Sequence, residues 1–281
     1  MTFTNDEQAQ HWSELAPTWI ELGDQLERVS GQPGLLAMDR LSLRPGESVL
    51  DLGCGSGRTT LELARRVSPQ GLAVGVDIAA EMIDHARRRT DSTADVRLEF
   101  LVADVQVTDL GQDRFDAAFS RFGVMFFSDP VAAFRNVRGA LRPGGRLAFV
   151  CWQSIFENEW MLLPAAAALS VTGATQPLPE PNAPGPFSLA DPERIQDLLG
   201  TAGYADVEVT RHNDVISIGE DRIREVAVLS TRVGSVRTML GEADDDTRHR
   251  VVAAIEETWR ARLDGGEARA SRGVNVVSAA T

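Results

Sequence analysis

A chain of 281 residues, 43% apolar and 25% charged, is long enough for one large domain or for a core carrying a smaller cap. A formal net charge of −13 repels phosphate backbones and anionic bilayers, which argues against a nucleic-acid partner and against a membrane surface. All 28 basic residues are arginine, so there is no lysine to form a Schiff base, and pyridoxal-phosphate chemistry is excluded.

In chain order, Trp12, Leu15, Trp19, Leu22 and Leu26 recur at helical spacing and predict helices over residues 1–44. These helices either pack on the core or form a lid over it. Arg44-Pro45-Gly46 punctuates before Val49-Leu50-Asp51-Leu52, which reads as a buried strand. Gly53-Cys54-Gly55-Ser56-Gly57 follows, with glycine at alternate positions, and then a helix with Leu61, Leu63, Ala64 and Val67 on its apolar face. Glycine is wanted where backbone must approach a ligand or take a positive φ. Leu72–Asp77 reads as a second strand ending in an acid, 20 residues past Gly57. Val96–Val102 reads as a third, running into Ala103-Asp104-Val105, and Phe115–Ser120 as a fourth. Leu141-Arg142-Pro143-Gly144-Gly145 predicts a helix end and a turn before a fifth strand to Val150. Strand and helix alternate throughout residues 45–152, which argues for a parallel, doubly wound sheet.

After Trp152 the rhythm breaks. Met161–Val171 is an apolar helical stretch, and Pro177, Pro179, Pro181, Pro184 and Pro186 read as an ordered excursion over the mouth of the site. Asp191-Pro192-Glu193 opens a helix with an N-cap and a proline at its first position, and Gly203 ends it. Val207–Ile218 alternates like a strand; 220–240 and 243–264 are helical; Val274–Val277 returns as a last strand. The predicted division is 1–44 N-terminal lid helices, 45–152 nucleotide-binding core, 153–190 cap insertion, 191–219 core continuation, 220–266 helical cap and 267–281 terminal strand. No N-terminal apolar run has signal-peptide length and none spans a bilayer, so a cytoplasmic protein is expected. Cys54 and Cys151 make no disulfide framework, and His11, His85, His212 and His249 are scattered, so no metal site is expected.

A strand, a glycine loop and a helix N-terminus form a nucleotide-binding arrangement in open α/β sheets. The dinucleotide fingerprint G-x-G-x-x-G fits Gly53 and Gly55 but meets Arg58 at its third glycine. That mismatch, with the absence of lysine for a Tyr-x-x-x-Lys pair, disfavours a nicotinamide dehydrogenase. Asp51-Leu52-Gly53-Cys54-Gly55-Ser56-Gly57 instead resembles motif I of the class I S-adenosylmethionine methyltransferases. The acid at Asp77, the Ala103-Asp104-Val105 turn, the fourth strand and the Leu141–Gly145 turn resemble that family's later motifs in order and spacing, over about residues 45–152. Ser120–Phe127 and Leu141–Gly145 look like the ubiquinone/menaquinone-type branch, whose members methylate small molecules. The enlarged C-terminal helices depart from the quinone enzymes and put a quinone substrate in doubt.

The resemblance implies an α/β, Rossmann-like sheet of seven strands, the last antiparallel and inserted between its neighbours, with N-terminal helices and a helical cap. It implies S-adenosyl-L-methionine as cofactor, S-adenosyl-L-homocysteine as product, and cofactor contacts from Asp51, Gly53, Cys54, Gly55, Gly57, Asp77, Ile78, Met82, Asp104, Val105 and Ser120. Asp77 would accept from the ribose hydroxyls, Asp104 from the adenine amino group, and the Val105 amide would donate to a ring nitrogen. A sulfonium methyl is already electrophilic, so transfer is a direct in-line displacement, and orienting a nucleophile about 3–3.5 Å away can contribute up to roughly 7–11 kcal/mol. A general base adds about 10²–10⁴-fold where the nucleophile must lose a proton, and His11 is the candidate if the N-terminal helices close. The fourth-strand loop lacks both the N-P-P-Y of amino-methylating DNA enzymes and the acids that hold magnesium in catechol-type enzymes, so metal-independent transfer is expected. The apolar 160–171 stretch suggests a partly hydrophobic or aromatic acceptor, in secondary-metabolite or quinone-like biosynthesis. A homodimer through the cap helices is the expected assembly. The alternative is a non-methylating protein of the same fold, an interaction module or a cyclase-type catalyst.

Overall fold

The computed structural model describes residues 5–90, 96–174 and 182–281. Two N-terminal helices, α1 (Asn5–Glu21) and α2 (Gly23–Arg40), precede the alternating core. The core runs β1 (Ser48–Leu52), α3 (Arg58–Val67), β2 (Leu72–Asp77), α4 (Ala80–Thr90), β3 (Leu98–Val102), β4 (Phe115–Arg121), α5 (Pro130–Ala140) and β5 (Leu141–Trp152). Then come α6 (Glu159–Thr172), α7 (Pro192–Ala202), β6 (Ala205–Gly219), α8 (Ile223–Arg232), α9 (Gly234–Leu240), α10 (Asp245–Arg260), β7 (Leu263–Asp264) and β8 (Glu267–Ala280).

The sheet has the order β3-β2-β1-β4-β5-β8-β6, with β7 pairing only to β8. Strands β1 to β5 are parallel, and β8 is antiparallel to β5 with Leu147 opposite Ala279 and Cys151 opposite Asn275. The seven strands of that path, with the antiparallel one between β5 and β6, match the predicted fold, and the two-residue β7 is an addition. Val49, Leu50, Leu52, Val74, Val76, Phe119, Leu147 and Phe149 are fully buried, as expected of a parallel sheet covered on both faces.

Helix ends follow local chemistry. Asp129 accepts from the Ala132 amide ahead of α5, and Asp191 accepts from the Glu193 amide ahead of α7, each with proline at the first turn. Gly203 closes α7 in the left-handed region, as the sequence predicts. The Pro-Gly-Gly turn lies inside β5 as a register shift: Phe115 pairs with Leu141 but Ala117 pairs with Arg146. The helix expected over 220–240 is broken in two, because Val233 turns extended (φ −134°, ψ 159°) and Gly234 takes φ 62°.

The chain divides into two compact units. The first comprises Met1–Trp152, Asn182–Arg211 and Val274–Thr281 and holds the parallel strands. In it, the segment before α7 is fastened to the turn after β4: the Gly185 amide and the Ser188 hydroxyl both donate to the Met125 carbonyl, at 3.0 and 2.6 Å. Pro177, Pro179 and Pro181 lie outside the described residues. The second unit comprises Gln153–Pro181 and His212–Gly273. Ala168, Ile223, Ala227, Val251, Ile255 and Trp259 form its core, all completely buried. Fully buried Asn158 pins its chain: the amide donates to the Ser154 and Gly273 carbonyls and the side-chain oxygen accepts from the Gly273 amide, each at 3.0 Å. Among the described residues no helix is long and apolar enough to cross a membrane.

Trp259 is the largest fully buried side chain of the second unit, so Trp259→Ala should cost about 3–5 kcal/mol. Urea unfolding followed by far-ultraviolet circular dichroism should show an earlier loss of helix, and an unchanged midpoint would contradict this packing.

Candidate active site

Parallel pairing of β1 with β2 brings Leu52 opposite Val76, so the loop leaving β1 meets the carboxyl end of β2. The Cys54 amide donates to the Val76 carbonyl at 3.0 Å and the Gly55 amide to Asp77 Oδ2 at 2.8 Å. Asp77 Oδ1 accepts from the Ala79 amide at 2.9 Å, which fixes the start of α4. Desolvation raises the Asp77 pKa, opposed by the backbone N–H groups of Ala79, Gly55 and Ile78. A carboxylate has about four lone-pair sites, so these backbone donors do not use all of Asp77's capacity.

Gly53, Gly55 and Gly57 all have positive φ. At Gly57 a Cβ would lie 2.8 Å from the Phe100 ring and 2.9 Å from Ala86, so only glycine fits there. At Gly55 a Cβ would meet nothing within 4 Å: the apex of the loop faces open space.

Asp51 lies beneath the loop, completely buried. Its Oδ2 accepts from the hydroxyls of Thr59 and Thr60, both at 2.7 Å, while Oδ1 has no partner. Burial pushes its pKa up from 3.8 to about 6, against the two threonine hydrogen bonds and the positive charge of Arg121. Buried Cys54 is an inert thiol: desolvation, then the charges of Asp51 and Asp77, push its pKa well above the ordinary range.

Across the sheet, β3 places Asp104 beside β2, where the Ala103 amide donates to the Asp77 carbonyl at 2.9 Å. Asp104 Oδ1 accepts from the Gln106 amide at 2.9 Å, and the Asn136 side-chain amide holds the Val105 and Thr108 carbonyls at 2.6 and 2.8 Å. Ser120 is fully buried and its hydroxyl donates to the Leu52 carbonyl at 2.8 Å, so it ties β4 to β1. Ile78 is partly exposed just past β2, and Met82 is buried in a cluster with Ala16, Ala79, Trp12, Trp19 and Ile20. The stripe on α1 therefore packs on α4, and Trp12 also stands edge-on to Phe126, 4.8 Å between centroids. His11 is exposed, in edge contact with Trp12, and hydrogen-bonds to none of the residues above. Arg58 pairs with Asp24 of α2.

Residues 49–145 match the methyltransferase domain family. The chain is 35% identical over 104 residues to aklanonic acid methyltransferase DauC of Streptomyces sp. (strain C5), covering 37% of this chain and 47% of that protein. It is 36% identical over 140 residues to the 2-phytyl-1,4-naphtoquinone methyltransferase of Thermosynechococcus vestitus, covering 48% and 60%. The chain thus spans about half the length of these curated relatives. In fold it is similar to the YcgJ protein of Bacillus subtilis, with a TM-score of 0.58 at 19% identity over 89% of this chain and 98% of that one. The core thus carries a methyltransferase domain over residues 49–145.

Two features of this methyltransferase domain escape a reading of the sequence. Thr59 and Thr60 hold Asp51, and the only signal for them is their place in the first turn after the glycine loop. Phe122 lies in the left-handed region at φ 60°, a conformation that costs a bulky residue on the order of 1–3 kcal/mol. Its ring stacks on Trp152, 3.9 Å between centroids and 12° from parallel. No sequence pattern signals that strain.

Asp51 sets a pH dependence. The folded state keeps the Asp51 proton up to about pH 6 while the unfolded chain releases it near 3.8, so stability contributed below pH 3.8 is lost as pH rises through 6. At ~1.4 kcal/mol per tenfold, the loss approaches about 3 kcal/mol by neutral pH. Asp51→Asn keeps one acceptor for the threonines but cannot ionise. Urea denaturation of both proteins at intervals from pH 4 to 7 should show the variant gaining about 2–3 kcal/mol relative to the parent across that range. A pH-independent difference would remove the buried carboxylate from the account.

Proposed function

We propose that this chain is a methyltransferase that uses S-adenosyl-L-methionine to methylate a small, partly hydrophobic acceptor. The observation that carries this reading is the methyltransferase domain match over residues 49–145, combined with a glycine loop open at its apex beside an acid with lone pairs to spare. When bound, the cofactor supplies a sulfonium methyl group ready for in-line displacement.

The chain's own residues fit such a group. Gly53, Gly55 and Gly57 present bare main chain to it. Asp77 would accept from the ribose hydroxyls with the capacity that its backbone donors leave unused. Asp104 and the Val105 amide stand at the adenine end. Asp51 Oδ1, buried without a partner, is an acceptor that the ammonium group of an amino-acid moiety would satisfy. Met82, Ile78 and the Trp12 face of α1 are apolar neighbours that would exclude water from this end of the sheet. The ubiquinone/menaquinone-type branch, and relatives named for aklanonic acid and a naphtoquinone, support an acceptor from secondary-metabolite or quinone-like biosynthesis. The acidic surface supports a small molecule rather than a nucleic acid.

Transfer of isotope from methyl-labelled S-adenosylmethionine into a small-molecule product tests the activity. For the cofactor site, Asp77→Ala should weaken S-adenosylhomocysteine binding by about 2–4 kcal/mol, roughly 30- to 1,000-fold, in titration calorimetry, with the fold checked by circular dichroism. Unchanged affinity would withdraw the ribose role from Asp77. No binding by the parent protein would withdraw the function.

A further inference from the structure

Phe122 and Trp152 belong to no part of the cofactor loop. Phe122 directly follows the last residue of β4 and Trp152 is the last residue of β5; in the parallel pairing Arg121 lies opposite Val150, and the Phe122 amide donates to the Val150 carbonyl at 3.0 Å. Both rings therefore stand at the carboxyl ends of adjacent parallel strands, the side on which open α/β sheets bind ligands.

The backbone at Phe122 is strained. The positive φ falls on Phe122 although its neighbour Gly123, the residue that would bear it without cost, has φ −84°. In that conformation Phe122 lies flat on Trp152. Trp152 is the supporting member, 7% exposed, with its amide on the Met125 sulfur at 3.5 Å. Phe122 keeps part of its surface exposed, so a ligand stacking on the pair meets Phe122. The pair is also next to the glycine loop: a Cβ on Gly53 would lie 3.0 Å from Gly123 Cα. In a chain only 6% aromatic, Trp12 and Phe126 add an edge-on pair beside the same turn after β4.

We propose that Phe122, backed by Trp152, is the specificity-determining platform of the acceptor site and selects a flat, conjugated aromatic ring. This rests on the methyltransferase reading and names the residues that select its acceptor. An edge or face of a fused ring gains from stacking what a saturated ring of the same size does not.

The probes are 2-naphthol and decahydro-2-naphthol, similar in size and polarity and different in flatness. Titrated into protein saturated with S-adenosylhomocysteine, the aromatic probe should bind roughly five- to tenfold more tightly. Phe122→Gly, which suits the positive φ and so keeps the fold, should reduce that preference to within about twofold while S-adenosylhomocysteine affinity changes by less than about twofold; Phe122→Tyr should retain it. Equal or undetectable binding of the two probes by the parent, or a preference that survives in Phe122→Gly, overturns the platform. If the parent fails to bind S-adenosylhomocysteine, the methyltransferase reading falls, and the same two titrations on the protein alone still decide whether Phe122 selects flat rings.

Discussion

One carboxylate at the end of β2 organises the site. Asp77 takes the Gly55 amide on one oxygen and the Ala79 amide on the other, so the glycine loop, the second strand and the first turn of α4 share a single anchor. Desolvation works against the charge, and the backbone donors work for it. The anchor exists only because β1 and β2 are parallel neighbours in register, which carries the loop after Leu52 to the end of β2. Asp51, one layer below, does the complementary job: it holds Thr59 and Thr60 and so fixes where α3 begins relative to the loop. Two acids at the ends of neighbouring strands thus have different tasks, set by burial and by which donors reach them.

The N-terminal helices are held by two kinds of contact, and their magnitudes differ. Asp24, Glu27 and Asp39 of α2 pair with Arg58, Arg121 and Arg66 of the core. Asp24 and Asp39 are largely exposed, and such pairs are typically worth about 0–1 kcal/mol each. The apolar cluster of Trp12, Ala16, Trp19 and Ile20 with Ala79 and Met82 buries aromatic area, for which about 25 cal/mol per Å² is the usual scale. The apolar contact therefore sets where α1 lies, and the ion pairs tune the register of α2. The tryptophan stripe packs on a helix that reaches both α4 and the turn after β4.

Much of the core was legible because its elements carry local signals. The β1 loop needs glycine where Phe100 and Ala86 crowd Gly57, and such glycines are visible as letters. The Asp191-Pro192 opening and Gly203 stop of α7 obey capping rules that act over four residues. The second unit was harder. Nothing in 220–240 announces that Val233 turns extended, and the strand predicted near Val274–Val277 begins at Glu267, because its length is set by what lies beside it. Similarly, the Pro-Gly-Gly signal was a true irregularity, but only pairing with β4 makes it a bulge inside β5.

The order of residues alone determined that a strand, a glycine turn and a helix would form around residue 53 and that acids would end the next two strands, since propensity, capping and positive φ are properties of a few neighbouring residues. Only the tertiary structure decided which acid is buried and protonates near pH 6, which serine is spent on a neighbouring carbonyl, and which phenylalanine is strained onto a tryptophan 30 positions away. Those outcomes depend on solvent exclusion and on partners brought together by the sheet, and neither exists until the chain has folded.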